Sequence, residues 1–68
     1  MDVQEMLRYL MKAGFTEEAI AMNVKVNQST ISRILSGRIR DPRSSIVREI
    51  QSIFEKEFLS QLIEETRM

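Results

Sequence analysis

The stretch that decides the fold is Glu17–Ser36, EEAIAMNVKVNQSTISRILS. Thr16 stands before it as a helix N-cap, and Glu17 and Glu18 occupy the first turn, where the helix dipole favours negative charge. Ala19, Ile20, Ala21 and Val24 then make a helix of about eight residues, too short to persist in water without neighbours. Asn27 is the N-cap of the next helix, which carries Ile31, Ile34 and Leu35 inward and stops at Gly37. Ala21 supplies the small residue that two steeply crossed helices need where they touch. Val24 and Val26 plug the two sides of the turn between them. The expectation is two short helices joined by a tight turn, the second protruding from the body.

Working outward, Asp2 and Glu5 have the spacing of a capping box. Val3, Met6, Leu7, Leu10 and Met11 follow at helical spacing, and Gly14 suits the left-handed residue that ends a helix. Beyond Gly37, Arg38 to Pro42 reads as a loop, with Ser44 or Ser45 capping what comes next. Apolar residues then recur at Ile46, Val47, Ile50, Ile53, Phe54, Phe58, Leu59, Leu62 and Ile63 without an intervening glycine or proline. Two helices meeting near Glu57 are preferred to one long helix, which would project beyond so small a core. No strand-like alternation occurs. The fold class is all-α, a compact four- to five-helix bundle containing a helix-turn-helix, in a single domain over residues 1–68.

Sixty-eight residues bury only about 60% of the surface that the unfolded chain exposes, so a partner would add needed stability. Without Cys or His there is no disulfide, no thiolate site and no imidazole base or ligand. Catalysis would rest on carboxylates, Lys or Tyr alone, so no enzyme, cofactor, metal or small-molecule ligand is expected. The five methionines read as core filler, and Tyr9 has no evident role beyond packing. Four earlier helices cannot cover everything up to Ile63. Phe58, Leu59, Leu62 and Ile63 are therefore read as a dimer surface, with 57–68 as a C-terminal dimerisation segment. A membrane-surface helix is the other reading of that stripe, but such helices favour Lys and Arg on the polar face, and this one is acidic.

The formal net charge is zero, but its distribution is uneven. Lys25 to Arg48 carries six basic residues against Asp41 alone, a local charge of +5, while Glu49 to the end carries −3. A polyanion responds to the local field. At about 100° per residue, Gln28, Ser29, Ser32, Arg33 and Ser36 share one arc opposite Ile31, Ile34 and Leu35. Glutamine can pair with adenine, arginine with guanine, and serine with either. No acid occurs from Ala19 through Arg40, whereas a merely solvated helix face would mix Glu with Lys. Gln28, Ser29, Ser32 and Arg33 are the candidate readers of base edges. Arg38, Arg40 and Arg43, on one loop, read either as phosphate clamps or as a solvated loop.

The run Ile20–Gly37 resembles the helix-turn-helix of the Cro/CI family of phage repressors, and Ser36–Arg43 resembles the loop that follows it there. The resemblance covers about Met6 to Phe54. It implies a five-helix bundle that binds a two-fold DNA operator as a dimer. It also implies base contacts from Gln28, Ser29 and Arg33, and phosphate contacts from Asn27, Thr30, Arg38, Arg40 and Arg43. Where the family usually has Gly in the turn, this chain has Lys25, so either the turn is reshaped or a cation near the DNA backbone compensates the strain. The segment after Glu57 departs from the family pattern.

The function expected is a sequence-specific regulator of double-stranded DNA, a Cro-like repressor acting as a homodimer on a near-palindromic operator. It would work in the cytoplasm of a bacterial or phage-infected cell, since nothing resembles a signal peptide or a membrane span. Two alternatives stay open: a DNA-recruiting module of a recombinase or packaging complex, and a helix-turn-helix interaction domain that binds no DNA. The second would carry mixed charge on its outer helix face.

Overall fold

The computed structural model describes residues 1–66, and these form four helices with no strand among them. Helix α1 (Val3–Lys12) begins at a closed capping box: Asp2 Oδ1 accepts the Glu5 N–H at 2.9 Å, and Glu5 Oε1 accepts the Asp2 N–H at 3.5 Å. Helix α2 (Glu17–Val24) begins at Thr16, whose Oγ1 accepts the Ala19 N–H at 3.0 Å. Helix α3 (Gln28–Ser36) follows after three residues, and α4 runs from Ser44 to Thr66. Gly14 (φ 110°) and Gly37 (φ 85°) end α1 and α3 in the left-handed region, as expected.

The turn between α2 and α3 keeps the geometry that normally favours glycine. Lys25 sits at φ 58°, ψ 46°. Its N–H reaches the Met22 carbonyl at 3.4 Å, and the Val26 N–H reaches the Ala21 carbonyl at 3.0 Å, the two bonds of a Schellman motif. The turn is therefore not reshaped around the lysine. The backbone holds a side chain where it costs about 1–2 kcal/mol.

The core draws on every helix. Leu7 and Leu10 of α1, Ile20 and Val24 of α2, Ile31 and Ile34 of α3 and Ile50 of α4 are buried together, with Phe15, Leu35, Ile53 and Phe54 packed around them. Helices α1 and α2 each pack against both α3 and α4. The pair Ile31/Ile34 sets the rotation of α3, and truncating either to Ala removes roughly 2–5 kcal/mol from a small domain.

The C-terminal segment differs from the expectation. Residues 44–66 form one helix of 23 residues, not two meeting near Glu57, and the count is four helices where the family resemblance implied five. Nothing in the segment breaks the backbone ladder, and two i, i+4 pairs brace it. Gln51 Nε2 donates to Glu55 Oε1 at 3.0 Å, and Gln61 Nε2 donates to Glu57 Oε1 at 3.3 Å. The helix also starts earlier than a cap at Ser44 or Ser45 would give, because the Arg43 carbonyl accepts the N–H groups of Ile46 and Val47 at 3.0 and 3.1 Å.

Helix α4 has two amphipathic halves that face different ways. Ile46, Ile50, Ile53 and Phe54 point into the body. At 100° per residue, the centre of the stripe Phe58, Leu59, Leu62 and Ile63 lies roughly 165° around the helix from them. From Phe58 through Thr66 every residue is exposed. The second half of α4 is an arm leaving the globule, and it explains an extent of 41 Å along one axis against 20 and 18 Å across.

Candidate nucleic-acid interface

Helix α3 stands on two fully buried isoleucines, Ile31 and Ile34, and a second element holds its end. Gln4 of α1 donates from Nε2 to the Ile34 carbonyl at 2.9 Å, which also accepts the Gly37 N–H at 3.2 Å, so a side chain thirty residues away joins the C-terminal cap of α3. Buried apolar side chains and this hydrogen bond together position α3. The outer arc then follows from helix geometry. Gln28, Ser29, Ser32 and Arg33 are all exposed, and no residue of the described C-terminal arm buries them.

Ser29, Ser32, Arg33, Ser36 and Arg38 line one shallow concavity along α3, so the first loop arginine returns beside the exposed arc of α3. Ser36 is committed locally, its Oγ donating to the Arg33 carbonyl at 3.2 Å. Asn27 occupies the cap position with extended backbone, but its side chain makes no capping hydrogen bond, which leaves its amide exposed at the start of α3. Thr30 is half-buried, toward the side of the arc.

The loop arginines are exposed but do not gather into one clamp. Arg38 lies against α3. Arg40 borders a concavity shared with Asp2, Val3 and Gln4 at the start of α1, and Arg43 borders another with Asp41, Pro42 and Arg48. They fan out around the foot of α3. At the other end of the molecule, Phe58 and Leu62 are 43% exposed and Leu59 and Ile63 57% exposed, large values for side chains of this kind.

Two residues outside the expected set take part in this arrangement. Gln4 holds α3, and its signal in the sequence is a polar residue on the inward stripe of α1, between Val3 and Leu7. Arg48, one turn into α4, adds a cation beside Arg43. Among the described residues none that is polar or charged is buried, and no three His, Cys, Asp or Glu side chains gather as a metal site would require. No helix among them is long and apolar enough to cross a membrane.

An all-helical body that presents a protruding, acid-free, hydrogen-bonding helix face defines a class, the helix-turn-helix domain. The helix-turn-helix family model matches residues 6–59, and the chain belongs to that family, the Cro/CI type of DNA-binding regulators. It is also similar to protein P2 of Acyrthosiphon pisum secondary endosymbiont phage 1, with 34% identity over 50 residues, covering 74% of this chain and 53% of that protein. The chain spans about half the length of the curated relative it matches. No solved structure matches the chain.

Proposed function

We propose that the protein is a sequence-specific transcriptional repressor that binds a near-palindromic operator as a homodimer. The observation that carries this reading is the outer face of α3: Gln28, Ser29, Ser32 and Arg33 all open to solvent, in a stretch without an acid from Ala19 to Arg40. In the major groove, Gln28 pairs with adenine and Arg33 with guanine, while Ser29 and Ser32 accept or donate to either, directly or through water.

Asn27, Thr30, Arg38, Arg40 and Arg43 hold phosphates in this reading. The uncapped Asn27 amide and the first-turn N–H groups of Gln28 and Ser29 suit an anion at a helix N-terminus, while that of Thr30 donates to the Asn27 carbonyl. The spread of the arginines suits a backbone that passes the domain on more than one side. These contacts give affinity and its salt dependence, and the α3 side chains give sequence choice.

The arm supplies the second subunit. Phe58, Leu59, Leu62 and Ile63 form the core of the dimer surface, with 57–68 as the dimerisation segment. Arg67 and Met68 of that segment lie outside the described residues. Glu57, Glu64 and Glu65 keep this end of the molecule away from phosphate. Two α3 helices then enter successive major grooves about 34 Å apart.

Selection of bound duplexes from a random pool tests the reading in one experiment. Two inverted copies of a short half-site are the expected product, and an operator of that sequence placed over a promoter lowers expression of a reporter. Failure to retard any duplex at low salt would exclude DNA binding and leave the protein-interaction alternative.

A further inference from the structure

Tyr9 lies where α4 stops being part of the globule and becomes the arm. Its ring meets Phe54 edge-on at 5.0 Å between centroids and lies 6.1 Å from Phe58, while Phe54 and Phe58 stack at 5.9 Å. Its hydroxyl donates to Gln61 Oε1 at 3.2 Å, and Gln61 Nε2 donates in turn to Glu57 Oε1 at 3.3 Å. Residues 54, 58 and 61 fall on one side of α4 and span two turns, so one side chain of α1 touches the helix at three successive levels. Contacts at several levels fix an angle, where a contact at one level would leave a pivot.

That angle matters because α4 is rigid. It has no glycine, proline or break between its first and last turns, so whatever direction it takes at Phe54 it keeps to its end. In a dimer joined through the arms, this direction determines where the body of each subunit sits, and hence the distance and rotation between the two α3 helices. One base pair of extra spacing moves a half-site by about 3.4 Å and turns it by roughly a tenth of a helical turn.

We propose that Tyr9 is a positioning residue for operator choice: by clamping the arm through Phe54, Phe58 and Gln61, it sets the spacer length between half-sites without touching DNA. This rests on the arm-mediated dimer described above. Aromatic pairs of this geometry contribute beyond their buried area, and Tyr9 is only half-buried, so its ring can be replaced without dismantling the core.

The test measures affinity for a series of duplexes that carry the selected half-sites at the preferred spacing and at one and two base pairs longer or shorter. Wild type, Tyr9→Leu and Gln61→Ala are compared, with sedimentation to confirm the dimer and circular dichroism to confirm folding. For Tyr9→Leu, the preference for the best spacing over its neighbours falls by about fivefold, while the half-site sequence stays the same. For Gln61→Ala, which removes the hydroxyl's partner and with it the exposed Gln61–Glu57 pair, it falls by about threefold. A general loss of stability would lower affinity for every spacing alike and leave the preference unchanged. If Tyr9→Leu fails to fold, the Gln61→Ala result decides. Folded variants that keep the full wild-type preference overturn the role of Tyr9 alone. A wild type that selects no duplex, or a single unpaired half-site, overturns the dimeric reading and this inference with it.

Discussion

The outer face of α3 and the outer face of the α4 arm are both helical and both open to water, yet they are made of opposite materials. The first is Gln28, Ser29, Ser32 and Arg33 in a stretch without acids, and the second is Phe58, Leu59, Leu62 and Ile63 beside Glu55, Glu57, Glu64 and Glu65. A cationic, hydrogen-bonding face loses little in water and gains much against a polyanion. An apolar face in water forgoes roughly 25 cal/mol for each Å² it could bury, and carboxylates around it repel phosphate. Exposure by itself distinguishes nothing here, and composition separates the two faces. The zero net charge conceals this, because the two faces lie on segments of opposite sign.

The sharpest way to break the comparison is to give the arm the polarity that water prefers. Leu59→Glu with Leu62→Glu leaves the monomer folded, since neither side chain belongs to the core. The variant sediments as a monomer, and its affinity for a full operator falls by about 10²- to 10³-fold, the size of the linkage between two half-sites. A variant that still sediments as a dimer would place the interface elsewhere.

Changes on α3 are smaller and differ in kind. Arg33→Ala costs roughly 1–3 kcal/mol on the preferred sequence and relaxes choice at one base pair in each half-site. An unaltered ratio of operator to random-duplex affinity would remove Arg33 from the readers. Arg40→Ala, at the foot of the helix, weakens all sequences alike and lowers the slope of log affinity against log salt by about 0.9 for each phosphate that is no longer neutralised. Selective weakening of one sequence by that substitution would move Arg40 from the phosphates to the bases.

The body is legible in the sequence because its signals are local. The capping box of Asp2 and Glu5, the Thr16 cap, the glycines at 14 and 37 and the isoleucine pair of α3 each act within one or two turns, and the structure places them as their spacing implies. What the sequence hides depends on balance over longer range. Residues near Glu57 carry no stop signal, and the only argument against a continuous helix is that it would project beyond the core. It does project, and the reason lies in the facing of the stripe: Phe58 still reaches Tyr9, but counted from Ile50, Leu59, Leu62 and Ile63 turn away from the inward side. Gln4 and Tyr9 give little sign of their roles because their partners, Ile34 and Gln61, stand 30 and 52 residues away. The spread of the three arginines is hidden for a related cause, since a loop's path is set by what it packs on.

Lys25, in the turn before α3, tests the smallest term of the comparison. Its left-handed backbone costs about 1–2 kcal/mol that glycine would not incur, while glycine's freedom in the unfolded chain takes back about 0.5–1 kcal/mol. Lys25→Gly therefore stabilises the domain by up to ~1.5 kcal/mol, and a thermal melt rises by several degrees at this chain length. A lower melting temperature would mean that the lysine side chain contributes packing that outweighs its strain. The same variant shows why the strain persists. If the cation lies along the DNA backbone, Lys25→Gly gains stability and loses salt slope together, and the turn trades fold stability for grip. With the slope unchanged and the melt raised, the lysine serves neither end, and the position is one where the α2–α3 turn tolerates a poor residue because its two Schellman hydrogen bonds are made regardless of side chain.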